Sequence, residues 1–273
     1  MDELDRLHYP TLDADGISQV LFYPRSERGY PDHGGYERLQ IPVEGGAVLG
    51  GRFHGAGAGA GAGEGEGAPN ILFFHGNGEI VADYDDIAGI FNRMGINFIP
   101  VDYRGYGAST GRPTFSAMMQ DAQAAYGFLT PWLRERGYGG PMAVMGRSLG
   151  SAPALDVAFR NPEAVAGLII ESGFSRILPL LSLMGIEDPA ITEEDGPLNA
   201  RKIRRIAKPT LIIHAEYDQI ISFAEGEELY EASGSAEKRL LKIPNAGHND
   251  IFQEGMEAYL DAVRGFMERV DRR

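Results

Sequence analysis

The sequence contains no cysteine among its 273 residues. This absence excludes disulfide bonds, catalysis by a thiolate and zinc sites with cysteine ligands. The sequence also lacks any apolar run approaching the roughly 18 residues that a membrane-spanning helix requires. Its first residues, Met1 to Asp5, are acidic, unlike the basic start of a signal peptide. The sequence therefore predicts neither a leader nor a membrane span, and we expect a cytoplasmic protein.

Basic residues are scarce relative to acidic ones. The chain has 25 lysines and arginines against 39 aspartates and glutamates, which gives a formal net charge of -14. Such a charge disfavours binding to nucleic acid and to anionic lipid surfaces. Sequence patterns typical of zinc proteases, EF-hands, P-loops and dinucleotide-binding folds are also missing. We therefore expect a small-molecule substrate, with no metal and no cofactor.

The composition and the order of predicted elements indicate one α/β domain spanning residues 1–273. Hydrophobic residues make up 43% of the chain, which is enough for a single large core. From about residue 70, short apolar segments alternate with helical patterns, as in a mostly parallel sheet covered by helices on both faces. The predicted strands are 70–75, 96–102, 142–146, 165–171, 209–214 and 239–243. The predicted helices are 81–94, 115–136, 150–160, 223–232 and 251–269.

Three further segments break this alternation. Residues 37–43 and 47–54 flank Glu44-Gly45-Gly46, which predicts a β-hairpin and an antiparallel edge to the sheet. The Gly/Ala-rich residues 55–68 predict a flexible surface loop, because they offer little apolar surface to offset the entropy of ordering. Residues 175–206 combine an apolar cluster, an acidic turn and a basic helix. They predict either a small cap over a site or a helix packed on the sheet.

The most informative motif is Gly146-Arg147-Ser148-Leu149-Gly150, which matches G-x-S-x-G. It lies where a predicted strand gives way to a predicted helix, the setting in which such a serine is exposed at the edge of a sheet. Glycine on both sides tolerates the close backbone approach of a sharp turn. Ser148 is therefore the candidate nucleophile.

A serine hydroxyl needs a base to accept its proton and an acid to orient that base. In proteins with this strand-to-serine turn the chain order is serine, acid, histidine. His248, in a polar loop after the last predicted strand, is the candidate base. Asp218, just after the preceding strand, is the candidate acid, with Glu171 and Glu216 as alternatives. His214 also follows Ser148, but its position at a strand end favours a packing role.

Negative charge on the attacked carbonyl oxygen requires hydrogen-bond donors. The backbone N–H of Leu149 is one candidate, because this residue directly follows the serine. The backbone N–H of Asn77 is the second, since His75-Gly76-Asn77-Gly78 follows the first predicted parallel strand. For substrate contacts the candidates are Tyr106, in the loop after the next strand, and Leu183 and Met184, in the predicted cap.

Together these motifs resemble the α/β-hydrolase superfamily over nearly the whole chain. His75-Gly76-Asn77-Gly78, Asp102-Tyr103-Arg104-Gly105-Tyr106-Gly107, the Ser148 motif and Gly247-His248-Asn249-Asp250 are similar to the branch that includes palmitoyl-protein thioesterases and uncharacterised bacterial hydrolases. The resemblance implies an α/β-hydrolase fold and a catalytic triad of Ser148, Asp218 and His248. The cysteine-rich N-terminus of the depalmitoylating members is missing, which favours a soluble esterase or thioesterase.

The predicted function is hydrolysis of a carboxylic ester or thioester through an acyl-enzyme on Ser148. An aminopeptidase-like amide hydrolase is an alternative, although the sequence shows no group placed to bind a peptide terminus. A non-catalytic ligand-binding protein on the same fold is a further alternative, because a fold does not guarantee chemistry.

Overall fold

A mixed β-sheet forms the centre of the protein. The computed structural model describes residues 3–28, 34–57 and 67–272. In this part of the chain eight strands form one sheet in the order β1-β2-β4-β3-β5-β6-β7-β8, parallel from β4 to β8. The strands are β1 Glu37–Pro42, β2 Val48–Phe53, β3 Asn70–Phe74, β4 Asn97–Val101, β5 Met142–Arg147, β6 Val165–Glu171, β7 Thr210–Ala215 and β8 Lys238–Ile243. The predicted α/β-hydrolase fold is thereby confirmed.

The N-terminal edge of the sheet is the predicted hairpin. Strands β1 and β2 pair antiparallel, with Leu39 opposite Gly51, and β2 then pairs antiparallel with β4. Gly45 and Gly46 in the connection have φ values of 73° and 74°. This left-handed conformation is one that glycine adopts without the steric cost of a side chain.

Helices cover both faces of the sheet. The α-helices are α1 Pro10–Asp13, α2 Asp15–Leu21, α3 Asp85–Arg93, α4 Phe115–Glu135, α5 Ser151–Arg160, α6 Ile177–Leu183, α7 Asn199–Ile203, α8 Phe223–Ala232 and α9 Ile251–Asp271. Helices α1 and α2 were not predicted from the sequence, because they are too short for a clear helical period. The predicted helix at 81–94 is divided into a 3₁₀ turn, Val81–Tyr84, and α3.

The two faces of the sheet carry separate hydrophobic cores. In β3, Leu72 and Phe74 belong to the core beneath α4 and α5, whereas Ile71 and Phe73 belong to the core beneath α3 and α9. All five residues of β3 are buried. This explains why the parallel strands are continuous apolar runs rather than alternating ones.

Residues 175–206 connect β6 to β7 and contain α6 and α7. Their start is held by Glu225 of α8, which accepts hydrogen bonds from the backbone N–H groups of Ser175 at 2.8 Å and Arg176 at 3.0 Å. Their end is held by Lys202, whose Nζ donates to Asp156 Oδ1 of α5 at 2.5 Å. Buried charges thus fix both ends of this segment to the main body.

Of the predicted flexible loop at 55–68, residues 58–66 lie outside the described residues. Within the part of the chain that the structure describes, no helix combines the length and apolarity needed to cross a bilayer.

Candidate active site

Ser148 lies at the carboxyl end of β5, on the turn that leads into α5. Its φ is 52°, a left-handed conformation that is strained for a residue with a side chain. The flanking positions have no room for a side chain, so glycine is required at both. A Cβ on Gly146 would lie 2.1 Å from the carbonyl oxygen of Gly150, and a Cβ on Gly150 would lie 2.1 Å from that of Phe74. The close backbone approach expected from the sequence is therefore present.

A chain of hydrogen bonds joins Ser148 to a histidine and an aspartate. Ser148 Oγ lies 3.0 Å from His248 Nε2, and His248 Nδ1 lies 2.7 Å from Asp218 Oδ2. All three residues are buried. With Nδ1–H donating to the carboxylate, Nε2 is free to accept the proton of the serine hydroxyl. This geometry is the one that an activated serine requires.

Asp218 is kept ionised and fixed by its own loop. Its Oδ1 accepts hydrogen bonds from the backbone N–H groups of Ile220 and Ile221, at 2.9 and 2.8 Å. Burial acts to raise the pKa of Asp218, but the hydrogen bonds from His248 and from these two amides outweigh it, so the pKa lies below its ordinary value. The carboxylate is therefore available to stabilise a positively charged imidazole.

The alternative acids have other partners. Glu171 is ion-paired with Arg147 at 2.6 Å and accepts a hydrogen bond from the Tyr259 hydroxyl at 2.6 Å. Glu216 pairs with Lys242 at 3.1 Å, towards the surface. Of the three carboxylates considered, Asp218 is the one hydrogen-bonded to His248.

His214 is fully buried at the end of β7. Its Nε2–H donates to the carbonyl of Ile221 at 2.8 Å, and a Cβ on Gly226 would lie 2.4 Å from its Nδ1. Burial lowers its pKa, so the ring stays neutral. The packing role expected for His214 fits this environment, in which it supports the loop that carries Asp218.

The two candidate oxyanion donors border the same cavity as the serine. Leu149 lies in the first turn of a 3₁₀ helix, Ser148–Gly150, that continues into α5. Backbone N–H groups in a first helical turn have no partner within the helix, which suits them to bind negative charge. Asn77 is held by its side chain, whose Oδ1 accepts from the backbone N–H of Tyr23 at 2.9 Å and from the Tyr106 hydroxyl at 2.7 Å. The side chain thus fixes the loop whose amide was the predicted donor.

A cavity of about 230 Å³ opens onto the serine. Its described lining residues are Gly76, Asn77, Glu79, Ser148, Leu149, Leu180, Met184, Ile220, His248 and Asn249. Apolar residues of the 175–206 segment and of the loop after β7 line the same cavity as the serine. The segment therefore borders the site, and the cavity offers a mainly apolar surface to a substrate.

The three predicted substrate contacts have different outcomes. Met184 lines the cavity. The interpretation of Tyr106 as a pocket wall is wrong, because the residue has no exposed surface and its hydroxyl is used to anchor Asn77. Leu183 does not line the cavity. It lies on the outer side of α6, where 52% of its surface is exposed.

The sequence did not suggest a role for Arg147, the residue before the serine. Arg147 is buried and forms ion pairs with Glu79 at 2.8 Å and with Glu171 at 2.6 Å. The available signal was an arginine at the end of an apolar strand, because a charge in such a position needs buried partners. The partners themselves lie 68 and 24 residues away in sequence, so the pattern alone does not identify them.

Among the described residues, no group of three or more histidine, aspartate or glutamate side chains could hold a metal ion.

Comparison with known proteins identifies relatives of the chain. Residues 66–189 match the family model described as "Serine aminopeptidase, S33". Alpha/beta hydrolase domain-containing protein aho-3 of Caenorhabditis elegans is 32% identical over 205 residues, which cover 72% of this chain and 57% of the relative. Human alpha/beta hydrolase domain-containing protein 17B is 32% identical over 210 residues, which cover 73% of this chain and 66% of the relative. The chain thus spans less than two thirds of the length of either protein.

The fold is shared with solved structures. Pyrococcus furiosus esterase Pf2001 superimposes with a TM-score of 0.69 at 17% identity, over 91% of this chain and 98% of the esterase. At this level of identity the likeness describes the fold.

Proposed function

The chain belongs to the α/β-hydrolase superfamily, and on this premise we propose that it is a serine hydrolase cleaving a carboxylic ester or thioester. The observation that carries the proposal is the hydrogen-bonded series from Ser148 through His248 to Asp218. In the proposed reaction His248 accepts the proton of Ser148 as the serine oxygen attacks the substrate carbonyl. The backbone N–H groups of Leu149 and Asn77 stabilise the oxyanion.

The same groups complete acylation and then carry out deacylation. His248 returns its proton to the leaving alcohol or thiol, which departs and leaves an acyl group on Ser148. A water molecule then attacks the acyl carbon as His248 takes its proton. The bond between the acyl carbon and Ser148 Oγ breaks, His248 gives the proton to Oγ, and the acid product is released. Asp218 stabilises the imidazolium in both halves without itself being protonated.

The cavity favours an apolar acyl group. Leu180, Met184 and Ile220 line it next to Ser148. Its volume of about 230 Å³ exceeds that of an apolar cavity of about 150 Å³ that accommodates benzene, so a short acyl chain or a ring fits.

The aminopeptidase description of the matching family model makes amide hydrolysis the second candidate. Recognition of a peptide amino terminus requires a carboxylate with free hydrogen-bonding capacity near the nucleophile. The carboxylate among the described lining residues, Glu79, is already used by Arg147, by the backbone N–H of Gly76 and by the Tyr84 hydroxyl. This saturation favours an ester or thioester over a peptide.

A panel of p-nitrophenyl esters and acyl thioesters graded by acyl length, with an aminoacyl-p-nitroanilide included, tests the proposal. We expect hydrolysis of short to medium acyl esters that disappears in the Ser148→Ala variant. Preference for the anilide would favour the peptidase reading. Equal activity of the wild type and Ser148→Ala, or binding without turnover, would contradict a serine hydrolase.

A further inference from the structure

We propose that Arg147 is a positioning residue that holds the His248 loop and the Asn77 loop in place relative to Ser148. The inference rests on the proposed function, because it assigns these loops the base and an oxyanion donor. Arg147 precedes Ser148 in the chain, so its backbone is part of the same turn. Arg147 is not among the residues that line the substrate cavity, and its guanidinium lies in a buried network of ionic groups.

The first connection leads to the base. Arg147 Nη2 donates to the backbone carbonyl of His248 at 2.9 Å. The same nitrogen lies 3.5 Å from Asn249 Oδ1. The arginine therefore ties the backbone of His248 to the residue next to the nucleophile. A shift of this loop would lengthen the 3.0 Å contact between Nε2 and Ser148 Oγ.

The second connection leads to the predicted oxyanion loop. Arg147 Nε donates to Glu79 Oε1 at 2.8 Å, and Glu79 Oε2 accepts the backbone N–H of Gly76 at 2.6 Å. A Cβ on Gly76 would lie 2.8 Å from Oε2, so the carboxylate sits directly against this backbone. Gly76 precedes Asn77, and the contact fixes the peptide unit adjacent to the proposed donor.

The third connection anchors the guanidinium itself. Arg147 Nη1 donates to Glu171 Oε1 at 2.6 Å, and the Tyr259 hydroxyl of α9 donates to the other oxygen of Glu171 at 2.6 Å. One positive charge thus lies between two carboxylates. Burial acts to lower the pKa of Arg147, but Glu79 and Glu171 outweigh it, and the pKa lies well above its ordinary value. The arginine is therefore permanently charged and held on three sides.

The side chain at position 147 donates hydrogen bonds to three separate acceptors, which explains why an arginine is needed. A planar guanidinium presents Nε, Nη1 and Nη2 to separate acceptors at fixed angles, whereas a lysine ammonium is a single point on a flexible stem. Lysine at position 147 would keep the charge beside the carboxylates. It would not hold Glu79, Glu171 and the His248 carbonyl at once.

The decisive comparison is Arg147→Lys against Arg52→Lys. Arg52 is a suitable control because its side chain is also little exposed and ion-paired, with Glu27 and Asp85, in the hairpin region. For Arg147→Lys we expect kcat on a p-nitrophenyl ester to fall about 100-fold per folded molecule with little change in KM, the size of effect that follows a displacement of about 1 Å in the reacting groups. Arg52→Lys should lose stability while keeping its kcat. A kcat for folded Arg147→Lys within threefold of the wild type would overturn the proposal.

A second measurement is independent of turnover. The low-field proton resonance of the His248 Nδ1–H···Asp218 hydrogen bond should broaden or vanish in Arg147→Lys and persist in Arg52→Lys. If Arg147→Lys does not fold, Tyr259→Phe takes its place. This variant removes the hydrogen bond to Glu171, which in turn holds Arg147. We therefore expect a smaller loss of kcat. An unchanged resonance in the folded variant would contradict the positioning role. Esterase activity that survives Ser148→Ala would instead contradict the proposed function. The resonance of the His248–Asp218 hydrogen bond would still test the positioning role of Arg147, because it does not depend on turnover.

Discussion

At the scale of single residues, Asp218 and Glu171 are two carboxylates at neighbouring strand ends that differ in their hydrogen-bond partners. Asp218 follows β7 and is hydrogen-bonded to His248, whereas Glu171 ends β6 and is held by Arg147 and Tyr259. The chain order of serine, acid and histidine favoured Asp218, but it did not exclude Glu171. Their separate hydrogen-bond partners distinguish them, and those partners come from distant parts of the chain.

Replacement of Asp218 by Asn tests its proposed role. The amide would keep the shape of the side chain but favour the wrong tautomer of His248, and kcat should fall by about 10⁴-fold. Glu216→Gln in the same loop serves as the control, because Glu216 pairs with Lys242 rather than with His248. Rate measurements on a p-nitrophenyl ester, corrected for folded protein by circular dichroism, make the comparison. Equal kcat values for the two variants would rule out Asp218 as the acid.

Only those site residues could be predicted that local sequence patterns or the order of residues along the chain indicate. Ser148 stands out because strand, glycine turn and helix are adjacent in sequence. Chain order then proposed His248 and Asp218, which lie 2.7 Å apart in the structure. The prediction failed for Tyr106, because an aromatic residue in a loop near the site does not reveal whether its ring faces substrate or the interior. It overlooked Arg147, whose role depends on acceptors brought together from β6 and from two loops, those of Glu79 and His248.

At the scale of elements, the turn between β5 and α5 is limited by space. A Cβ on Gly150 would lie 2.1 Å from the carbonyl oxygen of Phe74 in the neighbouring strand, and backbone cannot yield as a side chain can. Gly150→Ala should therefore destabilise the protein by about 1–3 kcal/mol or more. Gly127 in α4 offers the matched control, since a Cβ there meets no atom within 4 Å.

Gly127→Ala should stabilise the protein by about 0.5–1 kcal/mol, because alanine is the better helix former at an exposed position. Urea denaturation of both variants gives the comparison. The same small effect from both substitutions would show that the turn is not sterically constrained.

The segment that borders the cavity depends on a buried ion pair. Lys202 of α7 is 1% exposed and Asp156 of α5 is fully buried, so removal of the lysine leaves a buried carboxylate without this partner. Arg160 still pairs with Asp156 at 2.8 Å, so Lys202→Met should cost less than the 3–5 kcal/mol typical of a buried charge left unpaired, about 2–3 kcal/mol in the free energy of unfolding. Arg201→Met in the same helix breaks exposed pairs with Glu3 and Glu194 and should cost less than about 1 kcal/mol. Similar losses from the two variants in urea denaturation would contradict this account of the anchor.

The parallel part of the sheet was predictable because both of its faces are buried. Every strand from β3 to β7 is then a continuous apolar run, which is visible in the sequence. Helices α1 and α2 were missed because they have four and seven residues, too few for a helical period to emerge. Their formation depends on packing of Leu12 and Leu21 into the core, which is a tertiary effect.

At the scale of the whole molecule, a buried histidine links stability to pH. His54 follows β2 and is 4% exposed. Burial, and next the neighbouring Arg52 guanidinium, lower its pKa from 6.5 to about 4. Asp85 Oδ1 lies 3.5 Å from His54 Nε2, but Asp85 already pairs with Arg52, so burial of the imidazole dominates.

The sign of the effect follows from proton binding. Between pH 6.5 and 4 the unfolded chain carries the proton on His54 and the native protein does not, so stability is lost as the pH falls through this range. The difference of pKa corresponds to about 3 kcal/mol. Urea denaturation from pH 7 to 4 should show that His54→Gln lacks this part of the decline. Parallel stability curves for the wild type and the variant would contradict the assignment.

The central claim is that Ser148 is the nucleophile of a serine hydrolase. It is tested most directly by treating the folded protein with a fluorophosphonate and locating the adduct by peptide mass spectrometry. We expect one adduct per molecule, on Ser148, absent from Ser148→Ala and formed far more slowly in Asp218→Asn. A folded wild-type protein that acquires no adduct, or acquires it on another residue, would contradict the claim.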